Sequence, residues 1–362
     1  MRLLPFAPPA HGLHCDARTV SLVQVRRRWE IAGRRLVLGH TRVLDPGLLR
    51  LSHTDLNVMD VASFRDHLTA LHGAKRRAGD LIPIALTLPD LCGRFAIFEF
   101  DAWPAKHVDC EALLRWRFQK DLNMAATTAR IAYRAFSAVT PASQTGAPSW
   151  RVLAGAVKAD IIEQYEHACE EAGFIPISVG LAGTRLLDLY RGMMARVNPT
   201  LDEYFFVNVS ESALSLFVFR AGVPVFLRIK ALRNGTGSDA SLVHQYCVNE
   251  LRAGIHFYDD SMRQAETHGS HSRDRVLFIL NSAEWSSSKP SNGSECGLPG
   301  AASGRGMTDA HVLADRLAST LQIRTIPLLW ESPATCPSHR LYADPSFVPH
   351  ANVTALAGIV ET

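Results

Sequence analysis

The residues best able to do chemistry near the start of this chain are His11, His14, Cys15 and Asp16, donors of imidazole, thiol and carboxylate type. His11, His14 and Cys15 could supply half of a tetrahedral zinc site, with Cys336 and His339 as the remainder if the termini meet. The seven cysteines are odd in number and scattered, without the close C-x-x-C pairs of a zinc ribbon. The better reading is therefore reduced, mostly buried thiols and ordinary imidazoles, with no metal and no cofactor expected. A nucleophile would need a Ser or Cys on a sharp strand-to-helix turn, and the glycines of VGLAGTR lack the G-x-S-x-G frame. The run SSSKPSNGSECGLPGAASGRGMTD, 286–309, is rich in Ser, Gly and Pro but lacks G-x-x-x-x-G-K-[ST], so it reads as a flexible loop and not as a phosphate cradle. HGSHSRD reads as a polar loop. Trp103, Trp116 and Phe118 read as core, although exposed aromatics there would mark a peptide groove.

A chain of 362 residues is longer than one ordinary domain needs, which predicts two lobes or one large α/β domain carrying an inserted module. Lys and Arg number 38 against 35 Asp and Glu, which gives no electrostatic case for nucleic acid or an anionic membrane. The basic stretch VRRRW, with Arg26, Arg27 and Arg28, reads as a solvated hairpin loop, because Trp29 alone is too little aromatic surface for stacking. No stretch approaches the roughly 20 apolar residues of a membrane helix, and MRLLPFAPPAHG is broken by prolines before a signal core could form. The expected location is the cytoplasm, without membrane insertion.

From Leu13 the chain reads as a β-meander, followed by an amphipathic helix from Asp60 with Val61, Phe64, Leu68 and Leu71 at helical spacing. LIPIALTLPD is a buried strand and RFAIFEF another; DCEALLRWRFQKDL is a helix with acids first and bases later, as the helix dipole favours. A strand pair (IAYRAFSAV, WRVLAGAVK), a helix ending at Gly173 and a short strand FIPISVG complete a small α/β module. A helix, a three-strand meander over YFFVNVSESALSLFVFRAGVPVFLRIKAL, a long helix, a buried strand RVLFILN, a helix and a last strand IRTIPLL follow. A β-meander followed by helix, strand and helix thus occurs once near each end.

That doubled unit resembles the superfold of actin, the heat-shock chaperone ATPases and sugar kinases. Within it the run from Leu81 to Leu122 is similar to the stretch that PilM proteins of type IV pilus machinery share ahead of an inserted subdomain. RVLAGAVKADIIEQYEHACEEAGFIPISVG is similar to the segment that follows, and VTALAGIV to the closing element. R-x-G-x-P-V-F-x-R is matched at Gly222, Pro224, Phe226 and Arg228. The resemblance implies a two-lobed α/β actin-like fold with a small inserted α/β subdomain. Residues 1–90 would begin the first lobe, 91–180 would form the insert and the return to that lobe, and 181–362 would form the second lobe.

It also implies where a nucleotide would lie, between two Gly-rich hairpins whose backbone N–H groups hold phosphates. Asp16 stands at the family's D-x-G aspartate, but Arg18 replaces the glycine. In the second hairpin Asn208 and Ser210 stand where Asp and Gly are expected, and in the third contact Asn281, Ser282 and Ala283 replace consecutive glycines. An amide cannot order Mg²⁺ as a carboxylate does. The expectation is a degenerate pocket of Asp16, Arg18, Asn208, Ser210 and Ser282 in a pseudo-ATPase, with weak ATP and Mg²⁺ binding left open and a working ATPase with a variant pocket as the alternative. The resemblance further implies a scaffold at the inner membrane that binds the cytoplasmic tail of a bitopic PilN-like protein, in a groove sought first between residues 81 and 175. Self-association is a further possibility of the family, and the related type II secretion module is normally fused to a membrane helix.

Overall fold

The computed structural model describes residues 9–27, 35–71, 81–125, 128–138, 149–197, 203–232, 240–265, 275–282, 303–329, 341–343, 346 and 349–359. The zinc donors Cys336 and His339, the tip Arg28–Trp29, Ala283 and most of 286–309 lie outside them.

Among the described residues, three sheets organise the chain. The first is six-stranded, in the order β14-β3-β2-β1-β4-β8. It is built from β1 (His11–Cys15), β2 (Thr19–Arg27), β3 (Arg35–Val43), β4 (Ile82–Leu88), β8 (Phe174–Leu181) and β14 (Leu341–Ala343). The second is five-stranded, β11-β10-β9-β12-β13, from β9 (Glu203–Val209), β10 (Ala213–Arg220), β11 (Val223–Ala231), β12 (Arg275–Asn281) and β13 (Arg324–Pro327). The third is the small sheet β5-β7-β6, from β5 (Arg94–Phe100), β6 (Ala129–Ala138) and β7 (Ser149–Lys158).

The helices cover these sheets by their apolar faces. Phe64 and Leu68 of α1 (Val61–Thr69) and Ile161 and Tyr165 of α3 (Ala159–Glu171) pack on Leu13, Val20, Ile84 and Leu86 of the first sheet. Asp60 caps α1, accepting from the N–H groups of Ala62 and Ser63. Leu114 and Phe118 of α2 (His107–Leu122) bury the back of the small sheet, and α2 closes on Asn123 at φ 48°. Val243, Cys247, Leu251 and Ile255 of α5 (Ala240–Ala265) cover one face of the second sheet with Leu313 and Leu317 of α6 (Ser303–Leu321).

Between the two large sheets lie α4 (Ala182–Val197) and α7 (Pro349–Ala357). Leu186, Leu187 and Tyr190 of α4 and Val353 of α7 share one core with Phe206, Phe217 and Phe278 of the second sheet. Leu356 and Ile359 at the end of the chain pack on Val23 and Val37 of the first sheet. The approach is close enough to require glycine in β1: a Cβ on Gly12 would lie 2.0 Å from the Ala355 carbonyl oxygen.

This places the second lobe at 203–329 and corrects the boundary expected at 181–362. The chain ends in the first lobe, because β14 pairs in parallel with β3 and α7 lies over β1 and β2. A helix from Ser303 also takes the last part of the segment read as a loop at 286–309.

Candidate functional site

The first candidate site lies where the two hairpins meet. β1 ends at Cys15, and the turn to β2 is closed by the Asp16 N–H on the Thr19 carbonyl at 2.8 Å. Asp16 is buried, and its carboxylate accepts from the Ala17 N–H at 2.7 Å, the geometry of a turn residue bonding its own backbone. Arg18 is exposed. In the second lobe Ser210 closes the β9–β10 turn by accepting from the N–H of Ala213 at 3.1 Å and of Ser212 at 3.3 Å. Asn208 is buried and accepts from the Ser282 hydroxyl at 3.1 Å, while the Ser282 N–H donates to the Val209 carbonyl at 2.8 Å. Asn208 and Ser282 therefore tie β9 to the end of β12.

Two further acids, which the sequence reading did not single out, join these turns across the lobes. Glu211, at the tip of the second hairpin, accepts from the Thr19 hydroxyl at 3.3 Å and from the Arg18 backbone N–H. Asp90, just after β4, accepts from the Ser215 hydroxyl of β10 at 2.6 Å and from the Gly183 N–H at 2.7 Å. Gly183 is needed there, since a Cβ would fall 2.7 Å from the Asp90 carboxylate. Burial pushes Asp90 up to about 6 and Glu211 up to about 7, and the Asp16 charge adds to both. The donated bonds and, for Glu211, the Arg18 charge oppose the shift. No signal local to the Ser-Glu-Ser turn could have exposed Glu211, since its partner Thr19 lies 192 positions away.

His14 is a buried imidazole: burial lowers its pKa, and Nδ1 lies 3.0 Å from the Thr87 carbonyl oxygen. Cys15 is fully buried beside Cys92 and Cys169, and burial pushes all three thiols up, which suits inert core residues. Among the described residues no three His, Cys, Asp or Glu side chains are arranged to hold a metal ion.

The second candidate site is a groove of about 530 Å³ between the small sheet and the first lobe. One wall is β6, from Arg130 to Arg134 with Phe136; the other is β8, from Pro176 to Leu181, with Thr184, Leu187 and Asp188 of α4. Phe95, Leu153, Gly155 and Val157 give it an apolar floor. Among the described residues both walls are edge strands, paired on one side only: β6 with β7 and β8 with β4. Arg134 and Asp188 form a two-bond ion pair from wall to wall, at 2.5 and 3.2 Å. Trp103, Trp116 and Phe118 are not among the lining residues: Phe118 is core, Trp103 packs on Phe100 and Tyr133, and Trp116 lies exposed under Lys120. The groove extends past the stretch 81–175 into β8 and α4.

The same assembly recurs in a chain of the solved PilM-PilN type IV pilus biogenesis complex, at a TM-score of 0.66 over 98% of this chain and 99% of that one, with 15% identity. The fold is actin-like, of the PilM type. An actin-like ATPase-fold protein of Bacteroides thetaiotaomicron is similar at a TM-score of 0.42 and 9% identity, over 90% of this chain and 94% of that one. The cytoplasmic domain of EpsL, an inner-membrane component of the Vibrio cholerae type II secretion system, is similar at 0.37 and 10% identity, over 85% and 93%. No protein-family model and no curated protein matches the sequence. Among the described residues no helix is long and apolar enough to cross a membrane.

Proposed function

We propose that this chain is a cytoplasmic adaptor of a type IV pilus or related secretion platform, which holds the cytoplasmic tail of a bitopic PilN-like protein and does not turn over ATP. The observation that carries the reading is the groove between the open edges of β6 and β8. An extended peptide has unpaired backbone N–H and C=O groups, and an edge strand offers the same groups to pair with. Along Arg130 to Phe136 the wall has room for about seven residues at ~3.3 Å each. Apolar side chains of such a tail would lie on Phe95, Leu153 and Val157, while Arg130 and Glu166 offer charge at the margins. The likeness to a chain of a PilM-PilN complex supports this choice of partner.

The nucleotide-poor part of the reading rests on the interlobe contacts. The Arg18 N–H and the Thr19 hydroxyl, which would face phosphates, are bonded to Glu211. Asn208 is an amide bonded to Ser282, and Ser210 fills its own turn. This donor set does not fit a Mg²⁺-nucleotide.

The test is calorimetric titration with the cytoplasmic tail of a PilN-like bitopic protein, against a scrambled tail. Saturable binding of the native tail alone is expected. Ala132→Trp, which fills the groove from an exposed position on β6, should abolish it without lowering the melting temperature. Equal binding of both peptides, or full binding by the Trp variant, would reject the groove. Saturable MgATP binding with turnover would reject the nucleotide-poor part by itself.

A further inference from the structure

Glu211 belongs to the second lobe, yet its carboxylate is spent in the first. It is 8% exposed, and the atoms it reaches are the Thr19 hydroxyl at 3.3 Å and the Arg18 backbone N–H, beside the Arg18 guanidinium. Taking a carboxylate out of water is costly unless donors replace the water, and the nearby Asp16 carboxylate makes this place less favourable still. A turn N–H, a hydroxyl and a guanidinium together are the donor set with which backbone turns hold small anions. Here the second hairpin brings the acid to them.

Asp90 makes the reverse contact, from the first lobe to Ser215 of the second. The two lobes are thus joined by reciprocal carboxylate bonds, one outward at the hairpin tips and one inward at Ser215. Glu211 is the member that a small ligand could replace, because its donors lie in a surface turn whose Arg18 is exposed, whereas Ser215 is fully buried.

We propose that the Asp16–Thr19 turn is a cradle for a small monocarboxylate, that the chain fills it with its own Glu211, and that this strut holds the first hairpin against the second lobe. A singly charged acid suits the place, since Asp16 lies near it and repels a second negative charge. The proposal rests on the nucleotide-poor reading only in that a nucleotide would compete for the same donors.

Hydrogen exchange of the full chain, followed in the peptide containing Arg18 and Thr19 with no nucleotide present, tests it. Glu211→Ala should speed exchange there by roughly tenfold or more, the effect of losing a bond to a buried charged acceptor. Glu211→Gln, which keeps an acceptor oxygen, should stay within about twofold of the native rate. Formate at roughly a hundred millimolar should slow exchange in Glu211→Ala back toward the native rate and leave the native protein unchanged. Native exchange in the Ala variant, or fast exchange that formate does not slow, would overturn the proposal. Should the Ala variant not fold, Thr19→Val removes one of the two donors, and an unchanged rate in it would also overturn the proposal. Since no arm contains nucleotide, this outcome is separate from that of the MgATP titration.

Discussion

Glu211 and Asp90 are costly residues for a fold to keep. Each is a buried carboxylate whose desolvation outweighs the bonds it receives, so its pKa lies above the usual range, at about 7 and about 6. A folded-state pKa raised above the unfolded value means that the folded chain binds a proton the unfolded chain has released. Stability is therefore highest at acid pH and falls as pH rises from the unfolded value of 4.5 to about 7 for Glu211, with no further loss from this group above that. Replacing the acid by its neutral isostere removes the dependence. Glu211→Gln should be more stable than the native protein at pH 8, by on the order of 3 kcal/mol at most, and close to it near about pH 4. Denaturant titrations at the two pH values check this, and parallel pH profiles would count against it. Arg18, Asn208, Ser210 and Ser282 were legible as departures from the pattern the sequence resembles. Glu211 was not, because its meaning depends on Thr19, 192 positions away, and nothing in a Ser-Glu-Ser turn reports what lies opposite.

At the scale of elements, the groove depends on two edge strands held apart by neighbouring helices, and the Arg134–Asp188 pair is its one described wall-to-wall tie at these residues. Both side chains are partly exposed, 42% and 31%, so the pair is a surface bridge worth about 0–1 kcal/mol and opens readily. Arg134→Ala and Asp188→Ala should each speed both association and release of the tail peptide, by roughly threefold or more, with little change in affinity. The exchanged pair, Arg134→Asp with Asp188→Arg, should restore native rates, and stopped-flow fluorescence measures all of them. Native kinetics in both single variants would remove the strap from the binding path. Most elements were readable locally. The apolar run of β4, the capped α1 and the dipole-matched α2 carry their own signals. The groove was readable only as a neighbourhood, 81–175, because β8 and α4 enter it through tertiary packing and Gly180 and Thr184 carry no local mark of a wall.

At the scale of the whole molecule, α4 and α7 make the two lobes one cooperative body. Leu186 and Tyr190 lie in the same core as Phe217 and Phe278, so neither lobe can lose its inner face alone without exposing apolar area on the other. The return of the chain end to the first sheet had no sequence signal strong enough to find, since β14 is three residues long and its partner β3 lies some 300 positions earlier. Within this body Ser215 is the only donor that the second lobe is described as giving to Asp90. Ser215→Ala leaves the buried carboxylate with the Gly183 N–H and one bond fewer, a cost of about 1–3 kcal/mol. The lost bond favoured the ionised form, so the pKa of Asp90 should rise further above about 6. The cost should therefore be largest above neutral pH and shrink in acid, where Asp90 is protonated in both proteins. Because the shared core is untouched, unfolding should remain a single transition, shifted to lower denaturant. Two separated transitions in Ser215→Ala would show that this one hydroxyl, and not the α4 core, couples the lobes.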